Sequence, residues 1–156
     1  MGADFAYMET VIDIPELNKT FGIEFQIWDL AGQIAFRNVM KAYYKGCYGA
    51  LAVYDVTQPE TLDGLDNWIR DVQKYAGTFE KLPIIVVGNK IDLRNSVPNS
   101  LKTIQGFAKS KALEATGFIE TSAKTGENIK QAFDMLAKAI IKVATSKMKE
   151  SNNENQ

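Results

Sequence analysis

Asp29 and Gly32 stand three residues apart, and Gln33 follows at once. A carboxylate in that position can hold a Mg²⁺ ion through water, and a glycine can bring its backbone N–H up to a phosphate. The Gln33 amide could orient a water molecule. A second set is Asn89-Lys90-Ile91-Asp92. The Asp92 carboxylate can accept two parallel hydrogen bonds from the N1–H and exocyclic amine of guanine. Adenine lacks that donor pair, so the carboxylate discriminates between the bases. The Lys90 stem can lie along a base face, and Asn89 can tie neighbouring loops together. The third set is Glu120-Thr121-Ser122-Ala123-Lys124. The N–H groups of Ala123 and Lys124 could meet a base carbonyl, and the small Ala123 side chain permits close approach. Taken singly, each set is also what an ordinary turn or helix cap shows, since Asn, Asp and Ser favour both.

All three sets follow segments that read as strands. Ile23, Phe25 and Ile27 alternate with Glu24, Gln26 and Trp28 up to Asp29. Residues 50–56 and 82–88 are nearly all apolar, as in strands buried on both faces, and 117–121 predicts a short further strand. Between them lie helical patterns over 61–76 (Leu62, Leu65, Ile69, Val72, Ala76) and 101–115. Another covers 128–144, with Ile129, Phe133, Leu136, Ala137 and Ile140 on one stripe. Residues 2–14 alternate, with Ala6, Met8, Thr10 and Ile12 on one side and Phe5, Tyr7, Glu9 and Val11 on the other. Turn-forming residues fill 15–20, which predicts a β-hairpin with a long connection. Residues 34–45 predict an irregular or short helical segment. Buried strands alternating with helices mean βαβ units, hence a parallel sheet with right-handed crossovers and one antiparallel edge. The expected domain covers 1–144, with a polar, disordered tail over 145–156.

Composition narrows the chemistry. The 156 residues are 46% hydrophobic, which suits one globular domain. A net charge of −1 implies no general pull toward nucleic acid or anionic membrane. The sequence has no histidine, so imidazole catalysis and His–metal sites are excluded. Cys47 is the one cysteine, which points to a reducing, cytoplasmic setting. No apolar run reaches the ~18 residues of a membrane span. Met1-Gly2 opens like a myristoylation signal, but Ala6 stands where Ser or Thr is wanted.

The three sets, in this order and each after a strand, resemble the Ras-type small GTPases. Trp28-Asp29-Leu30-Ala31-Gly32-Gln33, Asn89-Lys90-Ile91-Asp92 and Glu120-Thr121-Ser122-Ala123-Lys124 are similar to that family's phosphate-sensing, base-reading and loop-closing motifs. Gly2-Ala3-Asp4-Phe5, Tyr43-Tyr44-Lys45-Gly46 and Val53-Tyr54-Asp55-Val56-Thr57 are similar to signatures of its Rab branch. The resemblance implies a P-loop NTPase-like α/β fold with helices on both faces of a mostly parallel sheet. It implies GTP/GDP and Mg²⁺ as ligands. Asp29 would support the metal's shell, Gly32 would contact the γ-phosphate and Gln33 would position the attacking water. Asn89, Lys90 and Asp92 would hold the base, with Ser122, Ala123 and Lys124 closing over it. Effector or regulator proteins would bind around Gly2 to Phe5 and from Gly32 to Tyr44, where Phe5, Trp28 and Tyr43 resemble a partner-facing aromatic cluster. Leu30 stands where the family has Thr, and Ile34 where it has Glu.

No G-x-x-x-x-G-K-S/T occurs in these residues. The expectation is therefore a domain without its first strand, phosphate-binding loop and first helix, and with GTP and Mg²⁺ held weakly or not at all. The carboxyl end carries no prenylation cysteine. Two readings follow: a Rab-like GTPase switch in vesicle trafficking or signalling, and a non-catalytic Rab-like binding module or incomplete GTPase chain.

Overall fold

The structure, a computed structural model, describes residues 3–30 and 37–153. Gly2, Gly32, Gln33 and Ile34 lie outside the described residues. The elements in chain order are strand β1 (Ala3–Ile14), strand β2 (Lys19–Leu30), helix α1 (Arg37–Tyr44) and strand β3 (Ala50–Asp55). Helices α2 (Pro59–Asp63) and α3 (Leu65–Ala76) follow, then strand β4 (Ile84–Asn89), helix α4 (Thr103–Ala112), strand β5 (Gly117–Glu120) and helix α5 (Ile129–Asn153).

Strands β3, β4 and β5 form a parallel sheet in that order, and β1 and β2 form an antiparallel pair of their own. Central strand β4 is buried from Ile84 to Gly88. Its alternation sends Ile84 and Val86 to one face, where they join Ala52, Tyr54 and Val56 under the α3 stripe of Leu65, Ile69, Val72 and Ala76. Ile85 and Val87 turn to the other face and meet Leu136, with Met135 and Ile140 beside them. Fully burying an Ile or Val contributes roughly 2 kcal/mol, so these four residues anchor both layers. Helix α5 also carries Ala137 and Ile141, which pack on Ile12 and Ile14 of the hairpin. One helix thus straps the two sheets together.

The hairpin connection is shorter than the turn chemistry of 15–20 predicts. A 3-10 turn over Pro15–Leu17 ends on Asn18, which takes a left-handed conformation (φ 48°) and donates its N–H to the Pro15 carbonyl at 3.0 Å. Asn tolerates that conformation, so β2 starts already at Lys19. The single helix expected over 61–76 is two, α2 and α3, joined at Gly64. Helix α5 runs to Asn153, past the boundary expected at 144. The segment beyond 144 has no Gly or Pro and several Lys, Met and Glu residues, all good helix formers.

Tyr54 is fully buried, and its hydroxyl has no hydrogen-bond partner among the described residues. Burial pushes the phenol up to about 12, with Glu120 adding to the effect. The ring reaches α4 because position 106 is glycine: a Cβ there would lie 1.9 Å from the Tyr54 hydroxyl and 2.9 Å from the Phe118 ring. Gly106→Ala should therefore lower the urea midpoint, with an overpacking cost of about 1–3 kcal/mol set against about 1 kcal/mol of helix propensity. Tyr54→Phe removes an unpaired buried polar group and should raise the midpoint by about 1 kcal/mol of stability. In the double variant Tyr54→Phe should gain more than it does alone, a coupling that equilibrium unfolding of all four proteins measures.

Candidate functional site

The carboxyl ends of parallel strands are where open α/β sheets place ligands, and the second and third residue sets meet there. Asn89 closes β4 and lies beside Asp55 at the end of β3. Lys90 then takes a left-handed conformation (φ 68°) and caps a 3-10 turn over Ile91–Leu93. That conformation costs a residue with a side chain roughly 1–2 kcal/mol, so the surroundings must hold it in place. Ile91 donates its N–H to the Thr121 carbonyl at 3.2 Å. The Lys90 ammonium pairs with the Asp55 carboxylate at 2.7 Å.

Three side-chain links join this loop to the one after β5. The Ser122 hydroxyl, wholly buried, donates to Asp92 Oδ1 at 2.6 Å. Asn89 Oδ1 accepts from the Thr121 hydroxyl at 3.1 Å and from the Ala123 N–H at 3.0 Å. Arg94 forms a two-pronged pair with the Glu120 carboxylate and also donates from Nε to the Leu101 carbonyl at 2.9 Å. Such bidentate pairs fix geometry as well as adding energy. The hydrogen bonds it donates to Glu120 hold the Arg94 guanidinium further toward its charged form. Glu120 also accepts from the Thr103 hydroxyl at 2.8 Å, and its carbonyl accepts from Asn128 at 2.9 Å. The Ser122 hydroxyl in turn accepts the Thr125 N–H at 3.1 Å, which folds the third loop back on itself.

Asn89, Lys90, Asp92, Ser122 and Ala123 are therefore one constellation, while Lys124 stands exposed at its rim. One detail differs from the sequence reading. The Ala123 N–H is already bonded to Asn89, so among the described residues Lys124 supplies the N–H without a protein acceptor. The donor and acceptor set fits a guanine. Asp92 Oδ1 takes only one bond from Ser122, and a carboxylate has about four acceptor positions. Asp29 lies elsewhere, exposed at the end of β2 and opposite Asp4 in the hairpin register. The described residues contain no group of three His, Cys, Asp or Glu that could hold a metal. Mg²⁺ in phosphate sites usually takes one or two carboxylates with phosphate and water making up the rest. Asp29 fits that lesser part and not a cage.

Asp55, Arg94 and Thr103 are the supporting residues that motif reading missed. Asp55 carried a signal in being the single charged residue in an otherwise apolar strand. Arg94 and Thr103 carried none, because their partner Glu120 lies 26 and 17 residues away.

A family model described as the Ras family matches residues 1–142. Ras-related protein Rab-4A of Bos taurus is 40% identical over 138 residues, covering 80% of this chain and 61% of that protein. Rab-4A of Danio rerio is 40% identical over 138 residues, 80% of this chain and 62% of its own length. GTP-binding protein ypt3 of Schizosaccharomyces pombe is 34% identical over 154 residues, 99% of this chain and 67% of its own length. The chain thus spans about three-fifths of the length of the Rab-4A relatives.

The electrostatics of Asp55 yield a test. Burial raises its carboxyl, but hydrogen bonds from Lys90 and Thr57 outweigh that and leave it below the ordinary carboxylate value. A carboxyl held low in the folded chain adds stability that is full above its unfolded value, about pH 4, and is lost as pH falls through the folded value. Asp55→Asn should therefore destabilise the chain at pH 7 and lose less of its remaining stability than the parent between pH 5 and 3. Urea midpoints at those pH values check the sign.

Proposed function

The chain belongs to the Ras family, and from that premise we propose that it acts as a Rab-like guanine-nucleotide switch serving vesicle trafficking. The observation that carries the reading is the loop constellation in which Asn89, Asp92, Ser122 and Ala123 are locked together at the carboxyl ends of β4 and β5. A carboxylate held in that cradle can select guanine over adenine. When bound, GTP supplies the scissile phosphate and Mg²⁺ neutralises charge on it. The chain's own contributions are Asp92 reading the base and the Lys90 stem flanking it. Asp29 would hold the metal's water shell, Gly32 would meet the γ-phosphate and Gln33 would orient the attacking water.

The partner side of the reading rests on an aromatic cluster. Phe5 and Trp28 face each other across the hairpin with ring centroids 5.0 Å apart, and Tyr43 of α1 lies 5.3 Å from Trp28. Phe5 and Trp28 are each 50% exposed and Tyr43 38%. Aromatic side chains left together in water are frequent anchors of protein interfaces, so the cluster suits an effector or regulator. It also favours the second reading, a binding module that presents this surface without turning over nucleotide. Single-turnover hydrolysis of GTP by the purified chain separates the two.

Asp92→Asn should shift preference from GTP toward XTP, because an acceptor pair becomes one acceptor and one donor. An unchanged ratio in a competition assay would remove Asp92 from base reading. Gln33→Leu should slow GTP hydrolysis while leaving nucleotide affinity near the parent's, since the amide acts on water and not on the bound ground state. A parental single-turnover rate would take Gln33 out of the mechanism.

A further inference from the structure

Asp92 sits in the middle of the short turn Ile91–Leu93. The chain before it is pinned to the loop after β5: Ile91 donates its N–H to the Thr121 carbonyl, and Asn89 accepts from Thr121 and Ala123. The chain after it enters an irregular loop whose backbone bonds are local, Ser96 and Val97 both donating to the Leu93 carbonyl. The backbone regains the sheet at Leu101, whose N–H donates to the Val56 carbonyl at 2.7 Å. Arg94 bridges the stretch between. Its Nε donates to the Leu101 carbonyl at 2.9 Å, and its two terminal nitrogens hold the Glu120 carboxylate, one of them at 3.0 Å. The Thr103 hydroxyl, at the start of α4, donates to the same carboxylate at 2.8 Å. The Glu120 side chain is 14% exposed, so water and salt screen the pair only weakly. Arg94 follows Asp92 by two residues, and Glu120 precedes Ser122 by two. The Asp92–Ser122 hydrogen bond therefore lies between two ties, Asn89 on one side and Arg94 on the other.

We infer that Arg94 is a positioning residue for base recognition: its fork on Glu120 fixes the plane in which Asp92 presents its two carboxylate oxygens. The inference rests on the reading of Asp92 as the base-selecting group and adds what sets its angle. A single hydrogen bond from Ser122 holds one oxygen and leaves the carboxylate free to swing about it. Guanine needs both oxygens at once, for N1–H and the 2-amine, whereas hypoxanthine offers N1–H alone. A carboxylate held in plane separates the two bases. One that swings keeps a single bond to either. Lysine cannot stand in for Arg94, because an ammonium has neither the fork nor the Nε donor.

The test measures GDP and IDP affinity of the full chain, with Mg²⁺, by competition against a fluorescent GDP. The parent should prefer GDP by about tenfold or more, the worth of one hydrogen bond to a charged group. Arg94→Ala and Arg94→Lys should each cut that preference about fivefold, by weakening GDP far more than IDP. Thr103→Val removes one bond to Glu120 but leaves the fork, and should cut it less. Before any nucleotide is added, amide exchange at Leu93, whose N–H donates to the Lys90 carbonyl across the turn, should quicken in both Arg94 variants. Exchange at Val86, in the middle of β4, should stay parental. Arg94→Lys keeps the charge and carries the test where Arg94→Ala does not fold. A loss shared equally by GDP and IDP is what a merely structural role gives, and it overturns the inference. Parental exchange at Leu93 does the same. A parent that binds neither nucleotide, or both alike, overturns the base reading and the inference with it. A parental preference for GDP that both variants retain overturns the inference alone.

Discussion

Strand β4 is covered by helices on both faces and by strands on both edges, and from Ile84 to Gly88 it is buried. No polar side chain can sit along it without losing its water, at a cost of roughly 1–3 kcal/mol when unpaired. Chemistry is therefore pushed to the strand's end, and the first polar residue, Asn89, is where the candidate site begins. The same constraint shapes the neighbours. Asp55 and Glu120 end β3 and β5 beside it, and each is matched at once by a cation, Lys90 and Arg94. The site is a ring of strand ends whose charges are compensated before any ligand arrives. Asp92 is the exception: a hydroxyl from Ser122 touches it and, among the described residues, no cation does.

The hairpin depends on the rest through helix α5. Its Ala137 and Ile141 hold Ile12 and Ile14, while Leu136, one residue from Ala137, holds Ile85 and Val87. A helix has room for two adjacent stripes, and here each serves a different sheet. The helix also meets the middle of the hairpin, where Phe25 lies against Phe133 and the Thr10 hydroxyl donates to Asp134, while Leu30 at the far end packs on the main core. That far end also carries Phe5, Ala6 and Trp28, exposed on the strands, so the aromatic cluster stands at the extremity farthest from the turn.

Much of this was legible in the sequence because the period of the apolar residues is strict. The continuous run in β4 specified a buried strand and the spacing of Leu65, Ile69, Val72 and Ala76 a buried stripe, whereas β3, at the edge of the three-stranded sheet, buries Ala52 and Tyr54 but leaves Val53 exposed. The alternation of 5–12 separated Phe5, Tyr7, Glu9 and Val11 from Ala6, Met8, Thr10 and Ile12 without saying which side faces out; the structure leaves the first set exposed. The two loops of the candidate site were legible because each is a short run, Asn89-Lys90-Ile91-Asp92 and Ser122-Ala123-Lys124. What could not be read was anything set by backbone geometry or by long-range pairing. Asn18 shortens the hairpin loop through a left-handed conformation that composition does not announce. Arg94 finds Glu120 only after α4 and β5 have been laid down between them. The end of α5 was obscured because polar helix formers read equally well as tail.

Three of the fold's local conflicts differ in kind. Tyr54 keeps a hydroxyl without a partner, yet the two glycines around it show a chain shaped to admit the ring: a Cβ at Gly88 would lie 2.5 Å from that hydroxyl and one at Gly106 closer still. Packing has prevailed over polarity there. Lys90 keeps a left-handed backbone, and its compensation is visible in the ion pair with Asp55 and in the turn that brings Asp92 under Ser122. That strain is matched inside the chain, as at sites organised to receive a ligand. The Glu9–Glu24 pair, opposed across the hairpin, has no such compensation among the described residues. The conflict at Tyr54 is polar and local, that at Lys90 is resolved by neighbouring loops, and that on the hairpin face is met only by the Tyr7 hydroxyl donating to Glu9.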